Sequence, residues 1–250
     1  MKLTNDQELV CGINAINEII SIRPGSVKTI FTQDSKRKKR IEELERLAKK
    51  NGIEVIVQSP SFFKKNFLEM NHQGVAIICN KRLEENESFL ETIIEGDSLL
   101  LLILEHITDP HNVGACIRSA AAAGVDAVIV PKDRACHLTP TVRKISSGGS
   151  ELIPFIVVTN IVRTINKLKS SGVTIYGSDM NASKSHNEIS YSDKSALIIG
   201  SEDKGLKRLT QENCDEVIKV KMPGRIESLN ASVSAGIMLF QMVSQKQTPE

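Results

Sequence analysis

The sequence predicts an α/β protein in two parts: a small unit of alternating helices and strands, then a larger one built on a mostly parallel sheet. Two observations carry this. From Ser98 onward, short apolar runs alternate with helical stretches, as βαβ crossovers require. The first 80 residues show the same alternation on a smaller scale, and an acidic segment separates the two.

In chain order, Leu9, Val10, Ile13, Ile16, Ile19 and Ile20 fall at helical spacing, and Pro24-Gly25 ends that helix. Val27 to Phe31 is a β-branched run. Ile41, Leu44, Leu47 and Ala48 mark a second amphipathic helix, closed by Asn51-Gly52. Ile53 to Val57 and Val75 to Cys79 read as strands, with a helix within Phe62 to Met70 between them; such runs need cover on both faces. Residues 81–97 hold no strong strand and read as an acidic linker with a short helix. Six strands follow, at Leu99–Leu104, Ala127–Val130, Ile153–Val158, Val173–Tyr176, Ala196–Ile199 and Val217–Val220, with helices notably at Val113–Ala123 and Ala231–Val243. The expected domains are therefore 1–80, a linker at 81–97, and 98–250.

Composition excludes several classes. The chain has 250 residues, 40% apolar and 25% charged, an ordinary globular composition. Its longest clean apolar run, Leu99 to Leu104, is far short of a membrane span, and Met1 to Val10 lacks a signal-peptide core. Five scattered cysteines without a Cys-x-x-Cys spacing point to a reducing, cytoplasmic setting rather than a disulfide framework or zinc ribbon. Charge is unevenly placed. Residues 1–80 carry thirteen Lys and Arg against nine Asp and Glu, whereas 81–98 carry two against six. The run Lys36 to Arg40 would neutralise phosphates, or simply solvate the start of a helix.

In parallel sheets ligands sit beyond the carboxyl ends of the strands. Three segments there stand out. Glu105 to Asn112 runs into the helix carrying Arg118; Asn112 suits its N-cap, and a helix N-terminus favours anions. Cys116, Ile117 and Ala120 to Ala123 make that helix largely buried, so Arg118 is expected to need a partner, unless it is a surface residue on a capped helix. Gly200-Ser201-Glu202-Asp203-Lys204-Gly205 also joins a strand to a helix. It lacks the Lys-Ser/Thr of a phosphate loop and holds two carboxylates, which suits a neutral or cationic ligand better than a triphosphate. Met222 to Asn230 bends at Pro223-Gly224, and both Ser228 and Asn230 can cap the helix that follows. His106, Asp109 and His111 lack the spacing of a metal site, and Cys136-His137 lacks companions for redox work.

Taken in order, NVGACIRSAAAAG (112–124), IIGSEDKGL (198–206) and VKMPGRIESLNASVSAGI (220–237) resemble the three motifs of the SpoU family of RNA ribose 2′-O-methyltransferases. KISSGGSELIP (144–154) is similar to the segment that family carries between its first two motifs, and VCGINAINEII (10–20) to the start of its ribosomal-protein-like substrate-binding domain. Asp203 and Lys221 stand where the family usually has Gly and Pro.

The resemblance implies a catalytic domain with a deep trefoil knot, a rarity no local pattern would suggest. It also implies a homodimer, S-adenosylmethionine as cofactor, no metal, and a ribosomal RNA substrate methylated on a guanosine ribose. Gly200, Val220 and Leu229 are then expected at the cofactor, largely through backbone, with Glu202 tolerating the sulfonium. Arg118 is the catalytic candidate. An Arg stays protonated near neutrality, so stabilising the developing alkoxide is favoured over proton abstraction. Asn112, Ser228 and Asn230 would orient the Arg or the ribose. Dimerisation is expected through Ile237, Leu239, Phe240 and Val243 near the chain end. A transfer-RNA ribose methyltransferase and a non-catalytic RNA-binding protein are the competing readings.

Overall fold

The computed structural model describes residues 3–34, 39–67, 72–201, 204–226 and 228–246. Two compact units divide the chain, Met1–Leu83 and Glu84–Glu250.

The first unit runs β1 (Gln7–Cys11), α1 (Ile13–Ile22), β2 (Val27–Gln33), α2 (Lys39–Lys50), β3 (Val55–Gln58), α3 (Pro60–Asn66) and β4 (Val75–Asn80). Its sheet has the order β1-β4-β2-β3, with β4 antiparallel to both neighbours and β3 parallel to β2. The two-residue period splits each central strand between two apolar clusters. Ile30, Val75 and Ile77 pack with Ile16, Ile20 and Leu44. Phe31 and Ala76 pack with Phe63 and Phe67. Both faces are covered, as the apolar runs require.

Helical spacing overreached at one end. Leu9 and Val10 belong to β1, paired with Ile78 and Ile77 of β4. Gly12, at φ 101°, turns the chain between strand and helix, a conformation open to glycine. Of the basic run, Lys39 and Arg40 are exposed at the start of α2, whereas Lys36 to Lys38 lie outside the described residues.

The second unit runs β5 (Glu85–Asn86), α4 (Phe89–Ile93), β6 (Leu99–Leu104), α5 (Pro110–Ala123), β7 (Ala127–Pro131), α6 (Pro140–Ile145), α7 (Gly149–Leu152) and β8 (Phe155–Val158). It continues with α8 (Ile161–Ser170), β9 (Thr174–Ser178), β10 (Lys184–Ser185), β11 (Lys194–Ile199), α9 (Arg208–Asn213), β12 (Glu216–Lys219) and α10 (Ala231–Lys246). Its sheet order is β10-β12-β9-β11-β6-β7-β8-β5, and every described pairing is parallel. Leu100, Leu102 and Leu104 point into the cluster shared with α5 and α10, and Leu99, Leu101 and Ile103 into the one shared with α8.

From Glu84 on, the acidic segment is not a linker. β5 extends the sheet beside β8, and Leu90 is buried in the core that Ile161 and Ile165 share. Glu87 pairs with Arg163 at 2.6 Å and Glu91 with Lys167 at 2.7 Å. The carboxylates that read as solvated spacer match cations of α8.

On α10, Leu239 is fully buried and Val243 packs against the same cluster, whereas Val233, Ile237 and Phe240 are exposed. The four residues expected at a dimer contact thus split between the unit's own core and its surface. No described helix is long and apolar enough to cross a membrane.

Candidate active site

Strand order reverses between β6 and β11, which makes their carboxyl ends the crevice where open parallel sheets hold ligands. Leu104 is in register with Ile199, and the Glu105 N–H donates to the Ile199 carbonyl at 2.8 Å. The first and second motif segments therefore leave the sheet side by side. Buried Glu105 joins them further along. Its carboxylate accepts from the Lys207 N–H at 2.9 Å and the Thr210 hydroxyl at 2.6 Å. Between these points the second segment folds back tightly, and Gly205 N–H donates to the Ser201 carbonyl at 2.9 Å. A Cβ on Gly200 would overlap the Gly205 carbonyl group, so only glycine allows the loop to close. Glu202 and Asp203 lie outside the described residues.

The first motif opens α5, and its N-cap is Asp109, whose carboxylate accepts from the His111 N–H at 2.9 Å. Asn112, expected to cap, instead sits buried inside the first turn. Its Oδ1 accepts from Asn230 Nδ2 at 2.8 Å. Asn230 does cap α10. Its Oδ1 takes the Ser232 N–H at 2.9 Å and the Ser232 hydroxyl at 2.6 Å, which leaves its NH₂ side facing Asn112. One amide pair thus clasps the first motif to the third. Below it the helices run close, with the position of a Gly236 Cβ only 3.5 Å from Ser119 Oγ.

Arg118 departs from expectation. Cys116, Ile117 and Ala120 are buried, but Arg118 lies on the exposed face of α5 and its side chain makes no hydrogen bond or ion pair with a described residue. Helical rotation explains this: position 118 turns away from the sheet that its neighbours face. Its backbone is nonetheless held firmly. A Cβ at Gly149 of α7 would lie 3.4 Å from Arg118 Cα and 3.2 Å from Ala121 Cβ. Arg143 of α6 and Glu151 of α7 form a buried pair at 3.4 Å.

A cavity of about 720 Å³ opens beyond the ends of β9, β11 and β12. Gly200, Val220, Ser228 and Leu229 all line it, together with apolar Ile199, Met222 and Met238. Asn230 lies between two lining residues, while Asn112 and Arg118 stand outside the lining. Sequence reasoning missed one wall, Ser178 to Ser185 with Glu188, which adds Asp179 and Glu188 to Lys204, Lys219 and Lys221. The signal was present, since this polar stretch directly follows β9. Among the described residues no cluster of three His, Cys, Asp or Glu could hold a metal.

Comparison with known proteins identifies the family. Residues 99–240 match the SpoU rRNA Methylase family, and residues 9–84 match RNA 2′-O ribose methyltransferase substrate binding. A 23S rRNA (guanosine-2′-O-)-methyltransferase RlmB from Coxiella burnetii is 39% identical over 242 residues, covering 96% of each chain. Its counterpart from Pseudomonas putida is 39% identical over 245 residues, 96% of this chain and 97% of that one. The fold matches the SpoU methyltransferase AviRb from Streptomyces viridochromogenes, with a TM-score of 0.78 and 23% identity over 96% of this chain and 91% of that one. With both units matched and the motif segments converging at one end of the sheet, the chain belongs to the SpoU rRNA methylase family.

Proposed function

We propose that the protein transfers a methyl group from S-adenosylmethionine to the 2′-hydroxyl of a guanosine ribose in 23S ribosomal RNA. The observation that carries this reading is the meeting of Gly200 from the second motif with Val220, Ser228 and Leu229 from the third around one cavity. The names of the relatives that span nearly the whole chain support the choice of guanosine and of large-subunit RNA.

The cavity fits the cofactor. Its volume, about 720 Å³, lies in the usual ligand range of roughly 300–1,000 Å³. Backbone groups of Gly200 and Val220 suit a neutral adenine, and Asp179 and Glu188 suit a cationic ligand. S-adenosylmethionine supplies an activated methyl carbon when bound. Everything else falls to the chain. Arg118, exposed and without an ion-pair partner among the described residues, is assigned to stabilise negative charge as the ribose hydroxyl is attacked. The Asn112–Asn230 clasp holds its helix against the third motif, and Ser228 orients the ribose from the cavity rim. Glu202 belongs to the same loop as Gly200 and is assigned to the sulfonium side. The first unit, basic overall, recruits the RNA, and α10 supplies a dimer contact.

Isotope transfer tests this. Protein incubated with methyl-labelled S-adenosylmethionine and a 23S transcript should label one ribose, located by nuclease digestion and mass spectrometry. Calorimetry should show heat with S-adenosylmethionine and S-adenosylhomocysteine but none with ATP. Label on a base, or saturable ATP binding without cofactor heat, would overturn the reading.

A further inference from the structure

A second cleft, of about 520 Å³, lies beyond the ends of β6, β7 and β8, on the same edge of the sheet as the cofactor cavity. The two share a wall. Gly200, Ser201, Lys204 and Gly205 line the first, and Lys207, Leu209 and Thr210 line the second. No motif accounts for this cleft.

Its chemistry is mixed in an informative way. Arg134 and Lys207 are exposed and make no ion pair with a described residue. Glu105, also in the lining, is buried with both carboxylate oxygens already accepting hydrogen bonds from the chain, so it is not free to accept from a ligand. Asp133 is exposed and can accept from an amino group. Leu209 is 55% exposed, an uncovered apolar surface at the cleft wall. Two cations, one acceptor carboxylate and one apolar surface match the parts of a single nucleotide: phosphate, base edge and base face. A bare phosphate would have no use for Leu209, and an acidic peptide none for Asp133.

The backbone is fixed where these groups emerge. His106 and Arg134 both adopt φ 56°, unusual for residues other than glycine, and His106 Nδ1 donates to the Arg134 carbonyl at 3.2 Å. That bond ties the segment after β6 to the segment after β7.

We propose that this cleft holds an unpaired nucleotide of the RNA substrate next to the one being methylated, its phosphate on Arg134 and Lys207 and its base against Leu209 and Asp133. The assignment rests on the RNA methyltransferase reading and extends it to the strand's path.

The test compares binding of a 23S transcript by the full chain and by Arg134→Ala, Lys207→Ala and Leu209→Ser across a potassium chloride series. Each cation variant should bind roughly tenfold more weakly at low salt and flatten the log–log salt dependence by about one unit. Leu209→Ser should weaken binding several-fold, roughly as loss of one stacking surface does, and keep the slope. Lys167→Ala, whose lysine pairs with Glu91 away from the cleft, should leave the slope unchanged. Cofactor heat should be normal in all four, which shows that the unit is folded. Wild-type affinity and slope in both cation variants would overturn the proposal, as would no effect of Leu209→Ser. Displacement of the RNA by free guanosine monophosphate at micromolar concentration would also overturn it, by marking a mononucleotide site. Methyl transfer is scored separately. Wild-type chain that binds RNA through the cleft without transferring methyl would sink the parent reading alone, and active chain with unaltered variants would sink this one alone.

Discussion

At the scale of single residues, Arg118 separates catalysis from stability. It is exposed and unpaired with described residues, so removing it leaves no buried charge behind. Arg118→Ala should lower single-turnover methylation about 10²- to 10³-fold, the loss expected for one transition-state charge stabiliser. The unfolding midpoint and cofactor affinity should not move, since exposed substitutions usually stay within about 0.5 kcal/mol. Arg118→Lys should rescue little, because lysine cannot reproduce a planar fork. A wild-type rate for Arg118→Ala would remove the residue from the mechanism. Asn230 gives a complementary test. Asn230→Asp keeps the oxygen that caps α10 but sets a carboxylate against Asn112 Oδ1 in place of a donor. Loss of that bond should cost about 1 kcal/mol, read from the urea midpoint. An unchanged midpoint would mean the clasp contributes nothing. The sequence showed that Asn112, Ser228 and Asn230 were polar residues at strand ends, but not which one capped. Two candidates compete within each loop, and only packing decides: Asp109 reached the His111 N–H, and Asn112 was carried inward by the helix it was expected to start.

At the scale of elements, the long strands were legible because burial on both faces leaves uninterrupted apolar runs, as in Leu99–Leu104. The two-residue strand β5 was not, since Glu85 and Asn86 carry no apolar signal and only the neighbouring β8 makes them a strand. The chain just before β5 is held by a titratable contact. His137 Nδ1 donates to Glu84 at 2.9 Å and Nε2 to the Lys132 carbonyl at 3.0 Å, an arrangement satisfied only by the doubly protonated ring. Burial disfavours that charge. The bonds to Glu84 and Lys132, with the charges of Glu84 and Asp133, outweigh it and hold the ring above its ordinary value of 6.5. A raised folded pKa stabilises fully below the unfolded value and is lost as pH climbs through the folded one. Urea midpoints should therefore fall as pH rises above 6.5, and His137→Gln should flatten that slope. Equal slopes in the two proteins would show that the contact carries no linkage.

At the scale of the molecule, both units and their order were legible from alternation alone, whereas their boundary was placed late. Acidic residues were counted as solvated when α8 supplies their partners. The difference matters for dissection. Cutting near Leu90 would strip β5 from the sheet, so a catalytic unit must start by Glu84. Such a chain should keep cofactor heat and lose tight RNA binding, and undiminished RNA affinity would cancel the recruiting role proposed for the first unit.

Association is the remaining property of the whole molecule, and α10 divides cleanly for it. Ala235, Met238, Leu239 and Met242 are buried against the sheet and α5. On the other side Val233, Ile237 and Phe240 are 47%, 37% and 50% exposed. Their spacing of four and then three residues places them in one stripe. Isolated apolar residues on a surface need no explanation, but a continuous stripe on a terminal helix invites a second surface. Two copies meeting across a twofold axis would each cover the other's Phe240. Sedimentation at micromolar concentration should show a dimer, and Ile237→Asp with Phe240→Asp should give a monomer. Neither residue is in the unit's core, so the double variant should keep its circular dichroism and cofactor heat. Leu239→Asp should instead unfold the unit, since that side chain is fully buried. A wild-type monomer under these conditions would leave the stripe without this role, and a dimer that survives both substitutions would place the contact on another face.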